Sequence, residues 1–155
     1  MLSANYDFKK DLPVAKKTED EVADFLVRRY GFLILERSDR KFYDLKLEKN
    51  GKIYLIEIKE DMSCKKTGNV ALEFDCRGKP SGISVTKADS FIYKIHRPNE
   101  IVYLAIKTEA LRQLIRDKKH IRIVCGGDVD SHSMNYLFRY DDFVKEGKII
   151  KNIPT

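Results

Sequence analysis

Along YLIEIKED, residues 54–61, apolar and polar positions alternate with a period of two. Tyr54, Ile56 and Ile58 take one face of an extended strand, and Leu55, Glu57 and Lys59 take the other. FLILE (32–36), FYDLKLE (42–48) and KIYLIEIK (52–59) are all strand-like, and Asn50-Gly51 between the last two signals a two-residue hairpin. Before them, TEDEVADFLVRRY (18–30) has a helical period. Val22, Phe25, Leu26 and Tyr30 share a face, Thr18 and Glu21 have capping-box spacing, and Gly31 is the stop. After them, NVALEFD (69–75) is a strand and RGKPSGIS (77–84) a basic loop. TKADSFIYKIH (86–96) reads as a helix, with Thr86 and Asp89 at capping-box spacing. IVYLAIK (101–107) is a near-continuous apolar run of the kind buried on both faces of a sheet, and Thr108 is placed to cap a helix over EALRQLIRDKK. IRIVC (121–125) and NYLFRY (135–140) read as strands and DDFVKEG as a short helix. The pattern predicts a mixed α/β domain with helices packed on a sheet.

A two-residue loop at Asn50-Gly51 pairs Lys49 with Lys52 and fixes the register of the hairpin. Leu47–Tyr54, Leu45–Ile56 and Tyr43–Ile58 then face a core. On the opposite face, Lys46 meets Leu55, Asp44 meets Glu57, and Phe42 meets Lys59. Facing like charges destabilise a sheet by themselves. Two facing carboxylates are also a hard-oxygen cradle for a divalent cation such as Mg²⁺, whose remaining ligands are waters and phosphate. Lys59, on the same face, can orient or deprotonate a water, or stay charged and stabilise a negative transition state. The other reading of these residues is a solvated hairpin face, with Lys59 bridging Glu57 or Glu60. Phe42 and Leu55 on that face argue against ordinary solvation.

Composition narrows the classes. A length of 155 residues, 43% of them hydrophobic, suits one domain spanning 1–155 with a real core. No apolar run approaches a membrane span and the N-terminus has no signal-type segment, so a cytoplasmic protein without a membrane partner is expected. A net charge of +6 favours an anionic partner, although 24 acids are mixed among 30 bases. Cys64, Cys76 and Cys125 form no CxxC pair, and His96, His120 and His132 have no metal-ligand spacing. There is no Gly-rich nucleotide cradle, helix-turn-helix or zinc-finger pattern.

Asp44, then Glu57-Ile58-Lys59 on the adjacent strand after an opening helix, resembles the PD-(D/E)XK nuclease superfamily. The likeness covers residues 18–107, with Tyr43 where the name-giving proline stands. The resemblance implies a restriction-endonuclease-like core (αβββαβ) with a mixed central sheet flanked by helices. It also implies a Mg²⁺-dependent DNA endonuclease, with Mn²⁺ able to substitute, of Holliday-junction-resolvase, restriction or repair type, and a homodimer where two strands are cut. Asp44, Glu57 and the Ile58 carbonyl would be metal ligands and Lys59 the catalytic lysine.

Glu19 would be the acid that many members carry on the opening helix; otherwise it only favours the helix dipole. Glu73 would be a supplementary acid or an ion-pair partner. Lys65, Lys66, Arg77 and Lys79 would hold flanking phosphates, joined by Lys87 unless it is a solvated helix residue. The alternatives are a non-catalytic nucleic-acid-binding or assembly module on the same fold, and a small-molecule metal hydrolase.

Overall fold

A computed structural model describes residues 2–38, 42–126 and 132–155, and side chains from Lys16 onward within these segments. Helix α1 spans Leu2–Tyr30 and ends as the sequence predicts. Gly31 adopts φ +75°, its N–H reaches the Val27 carbonyl (3.1 Å), and the Phe32 N–H reaches Leu26 (3.2 Å), which closes the last turn. The start differs from expectation: the helix begins well before Thr18, so Thr18 and Glu21 lie within it and form no capping box.

Strands β1 (Leu33–Arg37), β2 (Leu45–Lys49) and β3 (Lys52–Asp61) follow as an antiparallel meander. Asn50 and Gly51 both have positive φ (53° and 78°), as a type I′ turn requires. The register is the expected one, with Lys49 opposite Lys52, Leu47 opposite Tyr54 and Leu45 opposite Ile56.

A short helix α2 (Cys64–Thr67), β4 (Asn69–Cys76), the two-residue β5 (Lys79–Pro80) and a 3₁₀ turn (Gly82–Ser84) lead to β6 (Ser90–His96). The last of these corrects the sequence reading: residues 90–96 are a strand, parallel to β3, and not a helix. Phe91, Tyr93 and Ile95 are buried on one face and Ile92 and Lys94 on the other, so both sides of the strand are covered. A two-sided apolar run of this length satisfies helix and strand patterns alike, and here the sheet wins.

Next come β7 (Glu100–Lys107), α3 (Thr108–Arg116), β8 (Arg122–Cys125), β9 (Ser133–Arg139), α4 (Tyr140–Val144) and β10 (Lys148–Pro154). Thr108 does not cap α3 through its side chain. It is the first helical residue, and its hydroxyl donates to the Ala88 carbonyl (2.7 Å).

The strands form a six-stranded mixed sheet, β1-β2-β3-β6-β7-β10, and a four-stranded antiparallel sheet, β5-β4-β9-β8. Val22, Ala23 and Leu26 of α1 pack on Leu45, Leu47, Ile56, Ile58, Ile92 and Tyr103 of the large sheet. The opposite face contributes Phe91, Tyr93, Ile95, Leu104 and Ile106 to a second core, closed by Val70, Leu72 and Phe138 of the small sheet with Leu111 and Phe143. Each such buried side chain contributes about 1.5–3 kcal/mol. The protein is thus a mixed α/β fold with a mixed central sheet. Between β3 and its parallel neighbour β6 the chain builds β4 and β5 of the small sheet. Among the described residues, no helix is long and apolar enough to cross a membrane.

Candidate active site at the end of the hairpin ladder

Beyond Leu45 the β2–β3 ladder stops, and this ending shapes the site. Asp44 is not the ladder partner of Glu57 that simple extension of the register would make it. Its N–H donates to the Ile56 carbonyl (2.8 Å), one residue out of register, and its Oδ2 accepts the Ile58 N–H at 2.6 Å. The Asp44 carboxylate therefore occupies the position that a continuing strand would fill with a backbone carbonyl. N–H and C=O of one strand residue point to the same edge, so the Ile58 carbonyl also faces this open edge.

Glu57 is 8% exposed and lies beside Asp44. Burial raises its carboxyl; Lys59 pulls it down and Asp44 pushes it up, leaving it at about 7. Asp44 is also raised by burial, opposed by the Ile58 amide and by Lys59. Lys59 Nζ stands 3.9 Å from Glu57 Oε1 and is partly exposed. Glu19 reaches the same neighbourhood from α1: burial raises its carboxyl first, and the Asp44 charge raises it further. The structure thus gathers all four sequence-predicted acids and base, Asp44, Glu57, Lys59 and Glu19.

Thr86 completes this cluster and is the residue the sequence reading missed. Its hydroxyl is buried, 3.4 Å from Glu57 Oε2 and 3.2 Å from the Phe42 carbonyl, and it accepts the Ala88 N–H (3.1 Å). Asp89, assigned with Thr86 to a capping box, instead accepts the Leu55 N–H through its carboxylate (2.8 Å) and returns its own N–H to the Leu55 carbonyl (2.7 Å). Both residues fasten the segment before β6 to β3. Phe42 does not face Lys59 across a ladder. Its carbonyl takes the Lys87 N–H (2.8 Å), and Lys87 Nζ lies 4.8 Å from its ring centroid.

Lys87 is accordingly an exposed base next to the site, on an extended segment and not on a helix. Lys65 and Lys66 are exposed on α2, just past the end of β3. Arg77, at φ +56°, and Lys79 are exposed at the β4–β5 turn, and among the described residues these four make no ion pair with Asp44 or Glu57. Glu73 lies on β4 opposite Asn135 of β9 and acts electrostatically on buried Tyr93. No ion pair reaches it among the described residues.

Asp44 and Glu57 fit a divalent cation in chemical type: two hard oxygen donors, close enough to perturb each other, with an open edge beside them. Among the described residues no group of three or more His, Cys, Asp or Glu forms a ready-made cation cage. A bound ion would therefore draw its remaining ligands from water, substrate and the Ile58 carbonyl. No protein-family model, curated protein or solved structure matches this chain.

Proposed function

We propose that this chain is a metal-dependent DNA endonuclease that hydrolyses phosphodiester bonds. The observation that carries the reading is the half-buried Asp44 beside buried Glu57, with Lys59 Nζ 3.9 Å from Glu57. A carboxylate held protonated until about pH 7 is costly to keep in a fold unless a cation discharges the pair. Mg²⁺ or Mn²⁺ bound there would supply Lewis acidity and an activated water. Asp44, Glu57 and the Ile58 carbonyl would hold the ion.

Lys59 would align the attacking water or stabilise charge gathering on the non-bridging phosphate oxygens. Thr86 holds the Glu57 carboxylate in place by hydrogen bonding. Lys87 is placed to meet a flanking phosphate, and Lys65, Lys66, Arg77 and Lys79 extend the basic surface toward DNA. The proposal includes a restriction-endonuclease-like core. An opening helix, a three-stranded meander with Asp44 and Glu57 at its end and a parallel strand beside β3 support it, with β4 and β5 in the connection to that strand.

Nicking of supercoiled plasmid and of labelled branched DNA tests the reading, with Mg²⁺, Mn²⁺ or EDTA, for the wild type beside Asp44→Ala and Lys59→Ala. Metal-dependent cleavage lost in both variants is the expected result. Binding without cleavage of any DNA form would replace the enzyme by a binding module, and cleavage that survives both substitutions would move the site elsewhere.

A further inference from the structure

One turn of α1, Thr18–Glu21, is fastened to four strands of the large sheet. Thr18 Oγ1 donates to Glu60 Oε1 on β3 (2.7 Å). Asp20 Oδ1 accepts from Arg37 Nη1 on β1 (2.5 Å). Glu21 Oε2 accepts from Lys94 Nζ on β6 (2.9 Å) and from the Tyr103 hydroxyl on β7 (2.9 Å). Lys94 also stands 3.9 Å from Glu60 Oε2, which His96 Nε2 meets at 2.6 Å, so the contacts of Thr18 and Glu21 join into one network. Thr18, Lys94 and Glu60 are largely buried, which makes the network unlike solvated surface pairs.

The fourth residue of the turn, Glu19, has no hydrogen bond or ion pair among the described residues, and its neighbours bracket Asp44: Arg37, which holds Asp20, is the register partner of Leu45, and Glu60, which holds Thr18, lies just past Ile58 and Lys59 on β3, Ile58 being the residue whose N–H Asp44 accepts. Apolar contacts such as those of Val22, Ala23 and Leu26 are non-directional and leave the rotation of a helix less sharply defined than hydrogen bonds do. Hydrogen bonds from residues on both sides of Glu19 remove that freedom.

We infer that Thr18, Glu21, Lys94 and Tyr103 are positioning residues that lock the rotation and register of α1 so that Glu19 is delivered to Asp44. The inference rests on the nuclease reading above and adds to it a set of residues that touch neither metal nor substrate. Displacement of a reacting group by about 1 Å costs on the order of 100-fold in rate.

The test is a double-mutant cycle on plasmid cleavage. Thr18→Val and Tyr103→Phe each delete one hydroxyl from the network and leave the Lys94–Glu21 and His96–Glu60 contacts in place, so the fold is retained and thermal unfolding checks it. Each is made alone and combined with Glu19→Gln. The expected result is a fall in kcat of about 5- to 50-fold with KM within twofold. The combination with Glu19→Gln should show no further fall, because the network acts through Glu19. Unchanged kcat in both single variants, or losses that multiply with that of Glu19→Gln, would overturn the inference. If Glu19→Gln cleaves normally while Asp44→Asn does not, the nuclease reading stands and the positioning role falls. If the wild type cleaves no DNA form, the nuclease reading fails first.

Discussion

The Asp44 carboxylate accepts the Ile58 amide proton at 2.6 Å, in the place where a longer β2 would have offered a backbone carbonyl. One side chain therefore caps the end of a ladder and stands beside Glu57. The two roles separate under substitution. Asn at position 44 keeps an oxygen for the Ile58 amide but carries no charge.

Asp44→Asn is expected to lower metal-dependent cleavage by at least about 100-fold. At pH 8 without metal it should also stabilise the fold by about 1 kcal/mol, since it removes a like-charge contact. Plasmid nicking and urea denaturation measure the two effects. A loss of stability together with activity would mark Asp44 as structural.

Glu57 titrates in the fold at about 7, against 4.5 as its ordinary value. The native protein thus holds a proton that the unfolded chain releases. Stability from this group is full below about 4.5 and is lost as pH rises through about 7, amounting to a few kcal/mol. Melting temperature in EDTA should fall across that window, and Mg²⁺ should raise it more at pH 8 than at pH 5.5. Asp44→Asn should flatten the EDTA curve.

Thr86→Val removes a hydrogen bond that lowers the Glu57 carboxyl. The midpoint of the rising limb of cleavage against pH should move upward by several tenths of a pH unit, because each unit corresponds to about 1.4 kcal/mol of differential interaction. A profile with an unmoved midpoint would separate Thr86 from the titrating acid.

Gly82→Ala should destabilise the fold by about 2–4 kcal/mol in denaturant titration. A Cβ there would lie 2.2 Å from the Glu73 carbonyl oxygen, and φ is +51°. The 3₁₀ turn would have to leave β4, and the Thr86 segment with it. Native-like stability in this variant would show that the turn can relax.

Lys94→Met should cost about 2–3 kcal/mol, below the full penalty of a broken buried pair because Glu21 is one-third exposed. Burial alone would push Glu21 up, but hydrogen bonds from Lys94 and Tyr103 hold it below its ordinary value, so part of the loss should return on acidification. Urea midpoints at pH 7 and pH 4 make the comparison.

The hairpin was legible because two independent signals agree on it. Asn50-Gly51 sets the turn, and the alternation from Tyr54 to Lys59 sorts the faces. That register points to Asp44, Glu57 and Lys59, but the ladder stops at Leu45 and Asp44 comes beside Glu57 by capping the Ile58 N–H, which the alternation does not show. Residues 86–96 misled because Thr86 and Asp89 mimic a capping box, while Lys94 in the middle of an apolar run looks like a solvated helix position. Its partner, Glu21, lies 73 residues earlier, so no local pattern announces a buried lysine. Thr86 was hidden for the same reason: its meaning depends on Glu57 and Phe42, which only the parallel pairing of β3 with β6 brings near. The edge strand β10, KIIKNIP, carries two lysines and an asparagine and gives little strand signal.

The placement of β4 and β5 inside the β3–β6 connection has a consequence for assembly of the chain. The β2–β3 hairpin is a local structure of the kind that closes in microseconds, and Asp44 and Glu57 come together with it. Thr86 and β6 arrive only after the intervening segment has folded over, and such non-local parallel pairing is slow. A partly folded chain holds two hydrated carboxylates with ordinary acidity. The proton affinity that distinguishes Glu57 is gained only when that segment docks, so the titration of this one carboxyl reports completion of the fold.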